Sequence, residues 1–340
     1  METRFEFRGT TREYFGIWMV NTSLKIVTLG IYSAWAKVRR RKYFSGATLL
    51  GGEPFEYLAN PMALFRGWLI AVAAFLLYVV AGRFSPILAA VVSIAIFVAM
   101  PWIVVRSRIF NCRNLSYRNI RCDFRPDYAE AYKVFLGISI LVPFTLGLLL
   151  PYAVYRQKRF LAENCSFGTT PFRFTATPGD FYRLFGRIAL ILIGVVVLLL
   201  AGAVGLVFLS GGMRPSRALI SILPLGLIFI IYLTVGVYAM TGIANLTWNA
   251  TRLGNVRFTS TLQPTSMIWL AVSCAGAIAF SLGLLFPWAA IRFARYRTER
   301  LSVEAADGLD IFVAGVQAAA GDATGEEIGD LFGIDLDFAL

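Results

Sequence analysis

The side chains of this sequence that could do chemistry are mostly lysines and arginines, and the chemistry open to them is the binding of anions. Lys25 stands apart because it lies in the middle of an apolar segment, close to Asn21 and Thr28. A charge inside such a segment often serves a function, since it is costly in a membrane. Lys25 is therefore a candidate contact for an anion or a lipid headgroup. The alternative is that its side chain reaches from a shallow segment to water.

A second set of candidates recurs at fixed positions along the chain. Three arginines each stand four residues after an aromatic residue that precedes an alanine: Arg39, Arg156 and Arg292. Three glycines each end a Thr-Leu-Gly or Ser-Leu-Gly triplet: Gly30, Gly147 and Gly283. The arginines either form a pseudo-threefold ring around a path, or each anchors its own segment at the membrane surface. The glycines fit the turn of a broken or re-entrant helix, whose backbone polar groups must then be satisfied by protein or water.

The sequence offers no set of residues for catalysis or for a metal. It has no histidine, and its four cysteines form no Cys-x-x-Cys pair: Cys112, Cys122, Cys165 and Cys274. The four firmest apolar segments contain no Asp or Glu, which argues against a proton relay built from carboxylates. No phosphate-binding loop, metalloprotease, serine-hydrolase or kinase motif is present. We therefore predict a protein that is not an enzyme, with no catalytic residue, cofactor or metal, and with unpaired thiols.

The elements that must position the candidates are themselves repeated. Arg4 aligns with Arg121 and Arg121 with Arg257, at offsets of 117 and 136 residues, and the triplets and arginines above keep the same register. Each unit is predicted to contain a short strand, an apolar segment, a basic turn and a β-hairpin. In the first unit the hairpin is expected to turn at Gly51 and Gly52.

Composition indicates that lipid is the solvent for much of the chain. Of the 340 residues, 58% are hydrophobic, and the mean hydropathy is +0.68, whereas a soluble domain is nearer half apolar. We predict an α-helical polytopic membrane protein with short cytoplasmic β-hairpins, built from two full repeats and a partial third. The predicted units are residues 1–114, 115–250 and 251–314, followed by an acidic tail at 315–340.

Seven apolar segments are candidates for crossing the membrane, because about twenty apolar residues span a core of roughly 30 Å. They lie at 15–36, 68–82, 86–105, 134–155, 186–209, 218–241 and 267–291. If all seven cross, 19 Lys and Arg lie inside and 12 outside; if the three repeat segments enter and leave on the cytoplasmic side, the numbers are 28 and 3. Cytoplasmic loops are enriched in these residues, which favours four full spans. Segments of this length are also long enough to span, so the seven-span alternative stays open.

Charge is divided unevenly along the chain. Residues 1–298 hold 31 Lys and Arg against 10 Asp and Glu, whereas residues 299–340 hold one arginine against 10 acids. The basic residues, densest at 37–42, lie beside apolar segments. That position is typical of anchors that contact anionic lipid headgroups at the cytoplasmic face, and not of a nucleic-acid binder. The acidic tail either folds back onto the basic face or is a solvated end.

The opening of the chain resembles a known family. Residues 5–9 (FEFRG) and 28–41 (TLGIYSAWAKVRRR) are similar to the YjgN-like family of bacterial inner-membrane proteins, and the resemblance covers essentially the whole chain. Ala34 departs from the family, which often has a proline there, as this chain does at Pro287. The resemblance implies an inner-membrane location. It implies no established activity and no site residues.

These observations together predict a multi-pass protein of the bacterial inner membrane with a cytoplasmic C-terminus. We expect a non-enzymatic scaffold or partner of envelope proteins, in contact with the lipid bilayer, anionic headgroups and a membrane protein partner. The alternative is a channel or carrier for a small anionic solute or a lipid, with the repeat segments forming the path. A continuous polar path would favour the carrier, and a protein that co-purifies at fixed stoichiometry would favour the scaffold.

Overall fold

The chain folds into a small β-barrel from which helices project. A computed structural model describes residues 2–209, residues 231–305 and Val313. The ten strands are β1 (Glu2–Phe7), β2 (Thr48–Leu50), β3 (Glu53–Tyr57), β4 (Leu115–Tyr117), β5 (Ile120–Phe124), β6 (Cys165–Phe167), β7 (Thr170–Phe174), β8 (Thr251–Leu253), β9 (Val256–Ser260) and β10 (Leu301–Ala305). They close into a barrel in sequence order, each antiparallel to both neighbours, with β10 paired to β1.

Tight turns link the strands at one end of the barrel. Gly51 and Gly52 join β2 to β3 with φ values of +58° and +84°, and Arg118 and Asn119 join β4 to β5 with +48° and +63°. Two successive residues with positive φ form the hairpin turn whose twist matches that of the strands. The links between β6 and β7 and between β8 and β9 are equally short.

Helices make the connections at the other end of the barrel. The helices are α1 (Thr11–Val27), α2 (Ser33–Ala47), α3 (Pro61–Phe84), α4 (Pro86–Arg113), α5 (Tyr128–Ala131), α6 (Ile138–Phe144), α7 (Leu150–Glu163), α8 (Pro178–Leu209), α9 (Val237–Ala250), α10 (Pro264–Phe280) and α11 (Phe286–Glu299). Segments of π-helix, Tyr132–Gly137 and Tyr232–Gly236, precede α6 and α9. We number the helical connections as hairpins 1 to 5, which follow β1, β3, β5, β7 and β9. Since the strands alternate in direction, every hairpin leaves the same end of the barrel.

The helical hairpins pack side by side in a ring. Consecutive helices contact one another, and α11 returns to pack against α1. Caps define where the long helices begin: the side chain of Asn60 accepts from the N–H of Met62 at 3.0 Å, and that of Ser85 from Ile87 at 3.2 Å. A proline follows each cap, where its missing N–H removes nothing from the helix.

Apolar side chains fill the barrel. The buried cluster inside it draws from eight strands and also includes Val313: Phe5, Leu50, Tyr117, Ile120, Phe167, Leu253, Val256, Val303 and Ala305. The ring of Tyr117 stacks 4.7 Å from that of Phe55, and its hydroxyl donates to the carbonyl of Leu50 at 2.7 Å. Aromatic packing of this kind makes the barrel a solid core.

The predicted fold class is wrong. We expected an α-helical polytopic membrane protein in which β-hairpins are accessories, whereas the structure is a closed ten-stranded antiparallel barrel that carries helices. Four strands have only three residues and start within one residue of a helix end, so no two-residue alternation marks them. Closure also depends on a distant pairing, Arg4 with Ser302.

The predicted apolar segments also differ from the helices. The segments at 15–36, 134–155 and 267–291 are each divided into two helical arms by a turn. Three described helices are long and apolar enough to cross a membrane by length and composition: Pro61–Phe84, Pro86–Arg113 and Pro178–Gly202. Residues 210–230, with most of the predicted span 218–241, and the tail 315–340 lie outside the described residues. The unit boundaries fall between α4 and β4 and between α9 and β8, and the division into repeat units stays a prediction.

Candidate membrane interface

Three turns at the tips of hairpins 1, 3 and 5 share one conformation. In each, a leucine with a φ of +50° is followed by a glycine with a φ between +84° and +93°: Leu29 and Gly30, Leu146 and Gly147, Leu282 and Gly283. Glycine adopts positive φ without steric penalty, but a leucine there costs on the order of 1 to 3 kcal/mol. Each of the three turns therefore needs a favourable interaction that offsets the strain of its leucine.

Each turn satisfies its own backbone. The glycine N–H donates to the carbonyl five residues earlier, at 2.8 Å from Gly30, 3.0 Å from Gly147 and 2.8 Å from Gly283. The hydroxyl that begins each triplet accepts from the N–H four residues later at 3.0 to 3.2 Å, just before the second helix starts: Thr28, Thr145 and Ser281. A turn with internally paired polar groups can enter an apolar medium, where an unpaired N–H or C=O would cost several kcal/mol.

The tips present bare apolar side chains. The three turn leucines are 91%, 94% and 95% exposed, and Phe144 and Phe280 beside the second and third turns are 81% and 96% exposed. In water, these exposed apolar side chains would have an unfavourable free energy of hydration in addition to the strain of the backbone. In lipid, the same side chains are in their preferred solvent. The three tips therefore have the properties of membrane-inserting turns.

In hairpins 1, 2, 3 and 5 the second helix carries an arginine close to the barrel, whereas in hairpin 4 the second helix, Val237–Ala250, carries none. Arg106, Arg156 and Arg292 each lie eight residues before the last residue ahead of the following strand, and Arg39 holds the same place in α2. At about 1.5 Å per helical residue, these side chains are at a common height of about 12 Å above the strands. The sequence repeat had indicated three of them.

Three of these arginines lie over an aromatic ring one helical turn nearer the tip. Their guanidinium carbons are 5.6 Å from the Trp102 ring for Arg106, 6.0 Å from Tyr152 for Arg156 and 5.1 Å from Trp288 for Arg292. Arg156 also pairs with Glu130, and its hydrogen bond to the Tyr152 hydroxyl is the largest effect that raises its pKa. Arg39 is exposed. An aromatic ring toward the apolar end and a cation toward the polar end is the arrangement that suits a membrane surface.

Lys25 does not lie with the arginines. It is exposed in the last turn of α1, beside the first tip, and its carbonyl accepts the hydrogen bond from Gly30. Of the predicted site residues, Lys25 and the three glycines are at the tips, while Arg39, Arg156 and Arg292 form a lower ring. The structure thus places the candidate residues at two heights above the barrel, one at the hairpin tips and one at the arginine ring.

Sequence reasoning missed Arg106 as a member of this ring. The signal was present, because Pro101-Trp102 precedes Arg106 with the spacing of Pro287-Trp288 before Arg292. The sequence repeat is marked by the triplets, and α4 follows no such turn.

A second group of cations faces the interior of the helix ring. Burial, together with the charges of Arg108 and Arg297, lowers the pKa of Lys158 to about 8. Lys158 is on α7 and Arg297 on α11, which are not neighbours in the ring, so their interaction crosses its interior. This arrangement could hold an anion.

Comparison with known proteins agrees with a membrane location. A family model described as a bacterial protein of unknown function (DUF898) matches residues 2–331. The chain is 27% identical over 148 residues to the inner membrane protein YjgN of Salmonella typhimurium, which is 42% of this chain and 37% of that protein. It is 23% identical over 163 residues to YjgN of Escherichia coli strain K12, which is 48% and 40%. The chain thus spans about two fifths of the curated relatives it matches. The predicted resemblance to the YjgN-like family is confirmed, and no solved structure matches.

The turn geometry predicts the effect of Gly147→Ala. A Cβ at this position meets no atom within 4 Å, so the change adds backbone strain alone. We expect about 1 to 2 kcal/mol of destabilisation, seen as a lower midpoint of thermal unfolding in detergent. Gly194→Ala is the matched control, because it is equally free of contacts but helical, and alanine there should leave the midpoint unchanged or raise it. Equal midpoints for the two variants would contradict the strained turn.

Lys158 predicts a dependence of stability on pH. Its pKa in the folded protein is about 8, below the value near 10.4 of an unfolded chain, so the unfolded state binds more protons between these values. The stability of the protein should therefore rise as the pH increases from 8 toward 10. Lys158→Met should be more stable than the parent at pH 7, with the difference shrinking by pH 10. A difference between parent and variant that stays constant from pH 7 to pH 10 would show that Lys158 is not held in an unfavourable charged form.

Proposed function

Since the chain belongs to the DUF898 family of bacterial proteins of unknown function, we propose its function from this geometry. The protein is a non-enzymatic scaffold of the bacterial inner membrane, which holds its barrel at the cytoplasmic surface. It binds anionic lipid headgroups through the ring of Arg39, Arg106, Arg156 and Arg292. We expect a cytoplasmic C-terminus, and the end of β10 at the turn end of the barrel, away from the helices, supports this.

The location is supported by the relatives and by the helices. The curated relatives are named inner membrane proteins, and three described helices have the length and composition of spans. The basic residues cluster on the helix arms near the barrel, and the positive-inside tendency therefore supports a cytoplasmic position for the barrel.

The observation that carries the proposal is the distance from the arginine ring to the hairpin tips. In hairpin 2, Ser85 at the tip is 21 residues from Arg106, or about 31 Å along the helix. That length matches a hydrocarbon core of roughly 30 Å. In hairpins 1, 3 and 5 the arginine lies only six residues from the first residue of its helix arm, or about 9 Å. With the arginines at the headgroups, hairpin 2 crosses the membrane and these three hairpins enter one leaflet.

The barrel interior favours the scaffold function and argues against a channel through the barrel. The buried cluster inside it is apolar and aromatic in the described part of the chain, and a packed core of this kind does not suit a path for an ion. A carrier for an anionic solute or lipid is the second candidate, because Arg108, Lys158 and Arg297 gather inside the helix ring.

Lipid binding by charge-matched variants tests the proposal. The triple variant Arg106→Gln, Arg156→Gln and Arg292→Gln removes three ring cations. The loss of about 1 kcal/mol per contact should weaken binding of short-chain phosphatidylglycerol about fivefold per site. Native mass spectrometry of the detergent-solubilised protein measures bound lipids, with phosphatidylcholine as the uncharged reference.

The control variant carries glutamine at three exposed arginines on the barrel, Arg121, Arg173 and Arg257. It has the same loss of net charge and should retain lipid binding. Equal losses in the two triple variants would show a general charge effect and overturn the ring. A loss produced only by Lys158→Met would favour the carrier.

A further inference from the structure

A pair of thiols lies outside the arginine ring, where the end of α4 meets the start of β6. The sulfur atoms of Cys112 and Cys165 are 3.5 Å apart, although the residues are 53 positions apart in the chain. A disulfide needs about 2.05 Å between its sulfurs. The remaining gap is small enough for side-chain rotation and slight backbone movement to close it. Both residues are only partly buried, which leaves a route for an oxidant as small as a peroxide.

A third thiol lies close to the pair. On the paired strands β5 and β6, Phe124 is opposite Cys165 and Cys122 is opposite Phe167. Because side chains alternate across a strand, Cys122 and Cys165 share one face of the sheet as diagonal neighbours. Among the residues that the structure describes, no three His, Cys, Asp or Glu side chains are grouped so that they could hold a metal ion. The chemistry that we infer for the cluster is that of its thiols.

The environments of the thiols assign different roles to them. The hydrogen bond with Cys112 and burial both raise the pKa of Cys165 well above its usual value. Burial, with the neighbouring Cys112 and Asp123, raises the pKa of Cys122 to about 12. At neutral pH both of these sulfurs stay protonated and react slowly, because the thiolate is the nucleophile. Cys112 is left as the thiol of the cluster that meets an oxidant first.

We propose that Cys112 and Cys165 form a reversible disulfide when the protein meets a peroxide. The Cys112 thiolate attacks one oxygen of hydrogen peroxide, the O–O bond breaks, and hydroxide leaves, which gives a sulfenic acid. The Cys165 sulfur then displaces the sulfenic hydroxyl as water while it loses its own proton. Two thiols and one peroxide thus give one disulfide and two waters. A dithiol reductant restores the two protein thiols by thiol–disulfide exchange and is itself oxidised to a disulfide.

The bond would close a loop that contains the whole of hairpin 3. The chain between Cys112 and Cys165 includes β4, β5, and the helices that carry the tip at Leu146. Oxidation would thus fasten the base of a leaflet-inserting hairpin to the end of α4, which belongs to the spanning hairpin. Disulfides in cytoplasmic proteins are usually transient and redox-sensing, and a bond at this junction would restrict hairpin 3 relative to hairpin 2.

Peptide mapping of the unmodified full-length protein tests the pair without any variant. The protein is reduced, freed of reductant, treated with hydrogen peroxide, blocked with N-ethylmaleimide and cut with trypsin. The three clustered cysteines fall on separate peptides, at 109–113, 122–133 and 160–173. We expect a cross-linked species of the first and third peptides, about 2 Da lighter than their summed masses, which disappears after dithiothreitol.

Variants establish which sulfurs are used. Cys122→Ser and Cys274→Ser should keep the cross-link, and Cys165→Ser should abolish it and leave Cys112 as a trapped sulfenic acid. Cross-linking of Cys122 in place of either partner would overturn the assignment. So would retention of all four free thiols under peroxide that oxidises a control dithiol. Lipid binding is measured separately, so failure of the thiol pair would leave the arginine ring untouched.

Discussion

The ladder between β1 and β10 is the interaction on which the rest of the structure depends. It joins the first strand to the last, with Thr3 opposite Val303, and so closes ten antiparallel strands into a ring. Because direction alternates around a closed barrel, all tight turns fall at one end and all helical hairpins at the other. Each hairpin must begin and end on the same side of any membrane that its tip enters. No helical hairpin can act as a single span.

Helix length then decides how deep each hairpin reaches. Measured from the arginine ring, hairpin 2 is long enough to cross the hydrocarbon core, whereas hairpins 1, 3 and 5 extend about a third as far. The tips of hairpins 1, 3 and 5 are turns whose backbone polar groups are hydrogen-bonded and whose leucines have a strained, positive φ. Lipid is the solvent in which the exposed leucines of such turns are favourable. The arginine ring and the tips thus act together in the proposed function. The arginines set how deep each hairpin enters the membrane, and the leucines contact the lipid at that depth. In the proposed function, insertion of these three tips into one leaflet would attach the scaffold to the membrane at three points.

Much of the site could be predicted from the sequence, but little of the barrel. The triplets ending at Gly30, Gly147 and Gly283 align without the structure, because a turn with positive φ needs glycine locally. The strands are different: Leu115–Tyr117 is too short to show alternation, and its place in the sheet depends on a closure between residues some 300 positions apart. Arg106 was missed for a related reason. Its height on the helix is set by the barrel below it, whereas the repeat in the sequence is marked by the triplets at the tips.

The most direct test of this account is the accessibility of single cysteines in a variant whose four native cysteines are replaced by serine. A membrane-impermeant maleimide is applied to intact spheroplasts and then to inverted membrane vesicles. Cysteine at Arg83, near the tip of hairpin 2, should react in spheroplasts alone, and cysteine at Gly52, in a barrel turn, should react in inverted vesicles alone. Cysteine at Leu146 should react in neither until detergent is added, because its tip ends inside one leaflet. Labelling of the Leu146 position in spheroplasts would show that hairpin 3 reaches the far surface and would contradict the account.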